Sequence, residues 1–314
     1  MSRSIRIAFT ISILVVAAIY VTIDRGKTLR ASRALHQVPS TARILIAIDP
    51  SAVARSASAS ALLHWFIDDE QLSEIELRCG LDPMRDLREI VLWVRGSERA
   101  PFEGFGLSLE GRTVNADTLA QCHRLIVGER GGSIVRLDAP SGPLLASADR
   151  RSAIALVDPD TVVTGAVGTV AEAMAVRDER LPALEERTQI AELWPRVRED
   201  AALAAVLDPP PYWRTALQRV PAFQADPSVL EGIRTIAFSA KEGSTPTVEV
   251  IVEAMSTELA LRQAELVRAW AASPPEGIES PWFEVLRSAR ARVEETLLVT
   301  TLDLAELAAP KPRP

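Results

Sequence analysis

The residue types in this 314-residue chain that could do chemistry are two cysteines, Cys79 and Cys122, three histidines, His36, His64 and His123, and the acidic run Asp68-Asp69-Glu70. An even number of cysteines in an exported protein favours a bridge. Cys79 closes one expected helix, just before Gly80, and Cys122 lies in the next long helix, so a bridge would close a loop of about 43 residues. In the chain-entropy model that loop stabilises the fold by roughly 4 kcal/mol. Two separately buried thiols are the other arrangement open to this pair, since free cysteine is among the most buried residue types. With no C-x-x-C spacing, the bridge reads as structural and not as a redox site.

A zinc site needs three or four convergent ligands, and the sequence has no H-x-x-x-H or C-x-x-C cluster to supply them. No metal is expected. Asp68-Asp69-Glu70 lacks the alternating acidic spacing and the central glycine of a calcium loop, and reads as a solvated turn. Gly104 and Gly106 flank Phe105 without the third glycine or the helix start of a dinucleotide cradle, so they mark a bulge or close packing and no cofactor is expected. No serine sits in G-x-S-x-G or S-x-x-K, and a hydrolase would have to use His64 or His123 as its base. The reading is of a protein that is not an enzyme, with no catalytic residue to name.

One further segment has the composition of a contact surface. In Pro209-Pro210-Pro211-Tyr212-Trp213 the prolines stiffen the backbone and two aromatic rings follow. It is either a partner-contact edge or a stiff connection whose Trp213 tucks into the core. Trp282-Phe283, after Pro281, invites the same two readings.

These groups must be positioned by a body that follows an apolar run, Ile7–Ile23, which is free of charge over seventeen residues. As a helix it would be about 25 Å long, near the lower limit for a membrane span. Without an A-x-A-like site behind it, the run reads as an uncleaved transmembrane anchor. Its basic flank is Arg25, Lys27, Arg30 and Arg33, with Arg3 and Arg6 on the other side. The charge excess behind the run argues for a cytoplasmic body, whereas a short basic N-terminus before an apolar segment is the ordinary form of an export signal. The second argument is preferred here, which places the chain in a bacterial inner membrane with a periplasmic body.

Residues 1–33 hold six basic residues and one acidic one, so the net charge of −7 for the chain becomes −12 for the remainder. An acidic body disfavours nucleic acid, whose affinity comes from Lys and Arg on phosphates. At 47% hydrophobic, the body can bury an ordinary core and is long enough for two domains.

Two stretches of the body resemble each other in order. ARILIAIDP at 42–50 answers AALAAVLDP at 201–209, and LREIVLWVRG at 87–96 answers IRTIAFSAKE at 233–242, with Arg88 against Arg234. Strands at 105–111 and 248–254 follow, then helices at 115–128 and 257–272, with Asn115 and Thr257 as their caps. DTVVTGAVGTVAEAM at 160–174 then answers ETLLVTTLDLAELAA at 295–309. Further strands are expected at 133–137, 143–148 and 152–157.

The expected fold class is α+β: an N-terminal transmembrane helix, then two tandem ferredoxin-like (βαββαβ) repeats with antiparallel sheets, the first carrying extra strands. Chance likeness between apolar strands is the competing account. The expected boundaries are 1–33 for the anchor and flank, 34–41 for a linker, 42–178 for the first repeat, 179–200 for a connector, 201–309 for the second repeat and 310–314 for a disordered tail.

With its short anchor, ARILIAIDP, the run LRCGLDP at 77–83 and REIVLWVRG at 88–96, the chain resembles single-anchor envelope proteins of myxobacterial type. The resemblance implies a membrane-tethered α+β protein and carries over no catalytic residue. Together these readings point to a non-enzymatic envelope protein acting as a protein-interaction or structural module. A periplasmic binding module for a small apolar or lipid ligand is the alternative. The expected partners are the membrane and an envelope protein or apolar ligand, without nucleic acid.

Overall fold

The computed structural model describes residues 35–66, 73, 76–96, 104–111, 116–129, 131–184, 188–209, 230, 232–241, 243–274 and 281–308. The apolar run, its basic flank, Asp68-Asp69-Glu70 and residues 210–213 lie outside them. Among the described residues no helix is long and apolar enough to cross a membrane.

Twelve strands are described: β1 Ala42–Ile48, β2 Leu87–Arg95, β3 Gly104–Gly111, β4 Ile134–Ala139, β5 Gly142–Ser147, β6 Ala153–Asp158, β7 Thr161–Gly165, β8 Ala201–Leu207, β9 Ile233–Lys241, β10 Thr247–Ala254, β11 Arg290–Glu294 and β12 Leu297–Asp303. The strand order is β11-β12-β10-β9-β8 in one compact unit and β1-β2-β3-β7-β6-β5-β4 in the other. Of the described residues, 53–66 and 192–308 belong to one compact unit and 35–52 and 73–191 to the other.

This order corrects the expectation of two tandem ferredoxin-like repeats, as does the pairing inside each unit. A split βαβ arrangement needs strands joined by a helical crossover to run parallel. Here β1 pairs antiparallel with β2, β2 with β3, β3 with β7 and β7 with β6. In the other unit β8 pairs antiparallel with β9, β9 with β10, β10 with β12 and β12 with β11. The order of elements along the chain is what the sequence displays; their pairing is settled by which apolar faces meet, and two apolar strands can pair in either sense.

The same connectivity occurs in both units, and the aligned arginines take matching places in it. Arg88 reaches Glu110 on β3 at 3.3 Å, and Arg234 reaches Glu253 on β10 at 3.5 Å. The hairpin β4–β5 is an addition to the first copy.

Helices cover the strands. Helix α1 Pro50–Arg55 leads into α2 Ala57–Phe66, which packs on β9 and β10 in its own unit. Ser56 between them donates its hydroxyl to the Lys241 carbonyl, and the Ala57 amide donates to that of Gly243. In the other unit α3 Pro83–Asp86 is set by its own residues: Asp82 caps it by accepting from the Met84 and Arg85 amides, and Pro83 stands in the first turn, where no amide is needed. Just before it, Gly80 at φ +62° ends a helical turn, its amide donating to the Glu76 carbonyl. Thus LRCGLDP is a stop, a crossing and a start, and it presents Cys79 at the bend.

Two more helices enclose the sheet of this unit, α4 Ala116–Glu129 on one face and α5 Val167–Arg177 on the other. Directly opposed residues of antiparallel strands share a face. One row is therefore Trp93–Gly106–Gly165–Ala153–Ala146, and α5 lies over it with Val170, Ala173 and Met174 buried. The small residues in that row are there because Trp93 is large. A Cβ on Gly106 would overlap the Trp93 ring, and one on Gly104 would sit 2.7 Å from Thr169 Oγ1. The pair Gly104 and Gly106 is thus close packing.

Residues ahead of β1 join this core. Gln37, 2% exposed, donates its amide to Asp158 and accepts from the buried Ser108 hydroxyl. Beyond it, Pro39 bridges Ala183.

The remaining described helices are α6 Thr188–Arg198, α7 Thr257–Ala272, α8 Trp282–Arg287 and α9 Ala305–Ala308. Ser256, one residue before Thr257, is the cap of α7, accepting from the Leu259 amide. In α8 the Arg287 guanidinium stacks 4.5 Å from the Phe283 ring centroid, so that ring already has a cation on one face.

Candidate functional site: an apolar cleft beneath a bridged helix

The face opposite α5 carries two more rows. Arg136, Leu145, Ile154 and Thr164 oppose one another across β4, β5, β6 and β7, and Leu156, Val162, Leu109 and Ile90 do so across β6, β7, β3 and β2. Leu81, Leu87, Ile90, Leu109, Ile154 and Val162 form one buried cluster here, with Cys79, Leu107 and Leu145 packed against it.

Helix α4 covers this face through Ala120, Cys122, His123 and Val127, all buried. Its place is held by the Cys79–Cys122 disulfide, with Cα atoms 4.7 Å apart. An Arg78–Glu129 ion pair adds a second link across the same junction. Both groups of that pair are exposed, so the covalent link is the stronger restraint. The bridge the sequence offered is therefore present.

The cover is incomplete. Between α4 and the strands lies a half-open cleft of about 190 Å³, walled by Ala120, Arg136, Pro143, Leu145, Ile154, Leu156 and Val162. Arg136 is the one charged side chain among its described lining residues, and Leu156 is 44% exposed within it. A space of this size and polarity holds a group of about the bulk of a benzene ring or a short length of alkyl chain. The sequence reading did not single out Arg136, Leu145 or Leu156. Their convergence depends on the β4–β5 hairpin folding back beside β6, and no spacing along the chain displays that.

His123 lies on the inner side of α4, beside the bridge. Its Nε2 is buried and meets no hydrogen-bond partner among the described residues. Burial pushes its pKa below the ordinary 6.5, so the fold favours the neutral ring. The unfolded chain binds a proton at a pH where the folded one does not, so stability is lost as pH falls through about 6.5, by up to about 1.4 kcal/mol per pH unit. Asp178, held low by Arg177, and Glu294, held low by Arg292, titrate well below that window. Urea midpoints at pH 7.5 and 5.5 check this: wild type is expected to lose stability across the interval and His123→Leu to lose markedly less.

None of the other candidates is among the described residues that line the cleft. His36 sits in the 3-10 turn Leu35–Gln37 and is exposed, and His64 lies on α2, in the other unit. Pro209 is buried, and the rest of the Pro209–Trp213 segment is outside the described residues. Among the described residues no group of three or more His, Cys, Asp or Glu could hold a metal ion.

No protein-family model matches this chain, and no curated protein matches it. Among solved structures it is similar to three crystal forms of TP0453: form III at 10% identity and TM-score 0.46, form I at 10% and 0.46, and form IV at 9% and 0.48. Each alignment spans 88% of this chain and 95 to 96% of the other.

Proposed function

We propose that this chain is a non-enzymatic binding module that takes an apolar group, such as the end of a lipid acyl chain, into the cleft beneath α4. The observation that carries this reading is the cleft itself, an apolar hollow between a sheet and a helix whose described lining residues include one charged group, Arg136. Apolar hollows of this kind exclude water poorly from their open side, and covering a half-exposed leucine such as Leu156 is favourable at about 25 cal/mol per Å². The disulfide supports an oxidising compartment, hence a periplasmic body tethered at the bacterial inner membrane through the apolar run Ile7–Ile23.

A palmitic acid carrying a terminal diazirine, fed to cells expressing the full chain and photolysed in intact membranes, tests the proposal. Adducts are expected on the peptide spanning 143–156, and Leu156→Glu should lower them by about tenfold by placing a charge on the apolar wall. Adducts on residues 7–23 report membrane contact separately and should not change. Labelling at 143–156 that ignores Leu156→Glu would sink the cleft reading while leaving the tether standing.

A protein-interaction role is the second reading, favoured by one observation: among the described strands, β11 and β4 each pair on one side only.

A further inference from the structure

The β4 edge is self-complementary. It pairs with β5 without a register shift, and no other described strand pairs with it. Which backbone groups are free there can be derived. The Ala148 amide donates to the Ser133 carbonyl, and antiparallel residues alternate between facing their neighbour and facing away. Ser133, Val135, Leu137 and Ala139 therefore spend their amides and carbonyls on β5, whereas Ile134, Arg136 and Asp138 point theirs outward. The register agrees: Asp138 stands opposite Pro143, which has no amide to give.

A second antiparallel strand can bond to this edge only through residues that likewise face outward. If that strand is β4 of another copy, few registers are available. Centring on Arg136 sets arginine against arginine, and centring on Asp138 sets aspartate against aspartate. Centring on Leu137 sets Arg136 against the partner's Asp138, and Asp138 against the partner's Arg136, on one face. On the other face it sets Leu137 against the partner's Leu137, and Val135 against the partner's Ala139.

Opposite charges directly across an antiparallel pair stabilise it, and like charges destabilise it. Arg136 and Asp138 are exposed and at present only 3.6 Å apart on their own strand, so both are available to a partner. The edge has no proline or bulge to block addition, although such devices are usual where pairing must be prevented. We infer that two copies of this chain associate through β4, two-fold and antiparallel about Leu137, with reciprocal Arg136 to Asp138 pairs. A contact of one strand pair is of the weak, concentration-dependent class.

The full chain, carrying one of two affinity tags and kept in detergent micelles, tests this by co-purification and sedimentation. Arg136→Asp alone sets carboxylates against carboxylates, Asp138→Arg alone sets guanidinium groups against each other, and each is expected to weaken association by about tenfold. Mixing the two variants restores opposite charges at both positions, so the mixture should associate as wild type does. Leu137→Cys should give a disulfide-linked dimer on mild oxidation, whereas Val135→Cys should not, because residue 135 does not face itself. Dimers that persist in both charge variants, as association through residues 7–23 alone would produce, overturn the proposal. A mixture that fails to recover, or a wild-type chain that stays monomeric at all concentrations, does the same.

Discussion

Replacing Cys79 and Cys122 together by serine is expected to cost about 4 kcal/mol of stability, the largest effect of any change considered for this chain. The bridge joins positions 43 residues apart. Cross-linking a loop of that length removes about 13 cal/mol/K of chain entropy from the unfolded ensemble, which at 25 °C is about 4 kcal/mol. The folded state gives back little of this, because the Arg78–Glu129 ion pair that spans the same junction is exposed to solvent. Equilibrium urea unfolding of the wild type, with and without reductant, and of the double variant measures it. The reduced wild type and the variant should agree within about 1 kcal/mol. A loss below about 1 kcal/mol would mean that residues 79–122 stay collapsed in the unfolded chain, and that the bridge positions α4 without stabilising the fold.

Gly165→Ala comes next, with an expected loss of about 3 kcal/mol. Gly165 has φ +150°, a region that residues with a Cβ rarely enter, at a cost of about 1–3 kcal/mol. A Cβ there would also overlap the Phe105 carbonyl oxygen and lie 3.0 Å from the Gly106 Cα. Both obstacles are backbone, so no side chain can turn aside, and overpacking of this kind costs a further 1–3 kcal/mol or so. The close approach has a purpose: β7 ends here, and the next amide, that of Ala166, donates to the same Phe105 carbonyl at the entry to α5. Gly128→Ala is the matching control. It lies in α4 with open space around its Cβ position, so the change should stabilise by a few tenths of a kcal/mol to about 1 kcal/mol through helix propensity. Thermal unfolding of the two variants beside wild type should therefore shift in opposite directions. A neutral Gly165→Ala would show that β7 can relax away from β3.

Much of the local structure can be read along the chain because it depends on neighbours in sequence. ARILIAID contains β1, LREIVLWVR is β2, and TELALRQAELVRAWAA is α7, each an apolar pattern closed by turn or capping residues. The strand β11 escaped that reading. RARVE has charges at three of its five positions, as an edge strand does, and only its pairing with β12 makes it a strand. The α7 cap was displaced by one residue, because Ser256 and Thr257 offer the same hydroxyl and only the backbone angles choose between them.

What the sequence alone determined is therefore local or covalent: the elements and their order, the acidity of the body, and the two cysteines, one closing a helix and one within the next long helix. What only the tertiary structure decided is which strands pair, and everything that follows from pairing. Ile44, Val91 and Val206 are apolar in any arrangement, and nothing in their chemistry chooses a neighbour or a direction. The choice falls to summed burial over both faces of the sheet, where Trp93 needs Gly106 beside it and Thr169 needs Gly104. The cleft wall of Leu145, Ile154 and Leu156 and the outward-facing backbone of Arg136 and Asp138 are set by the same pairing, because a shift of one residue in register would turn each of those side chains to the opposite face.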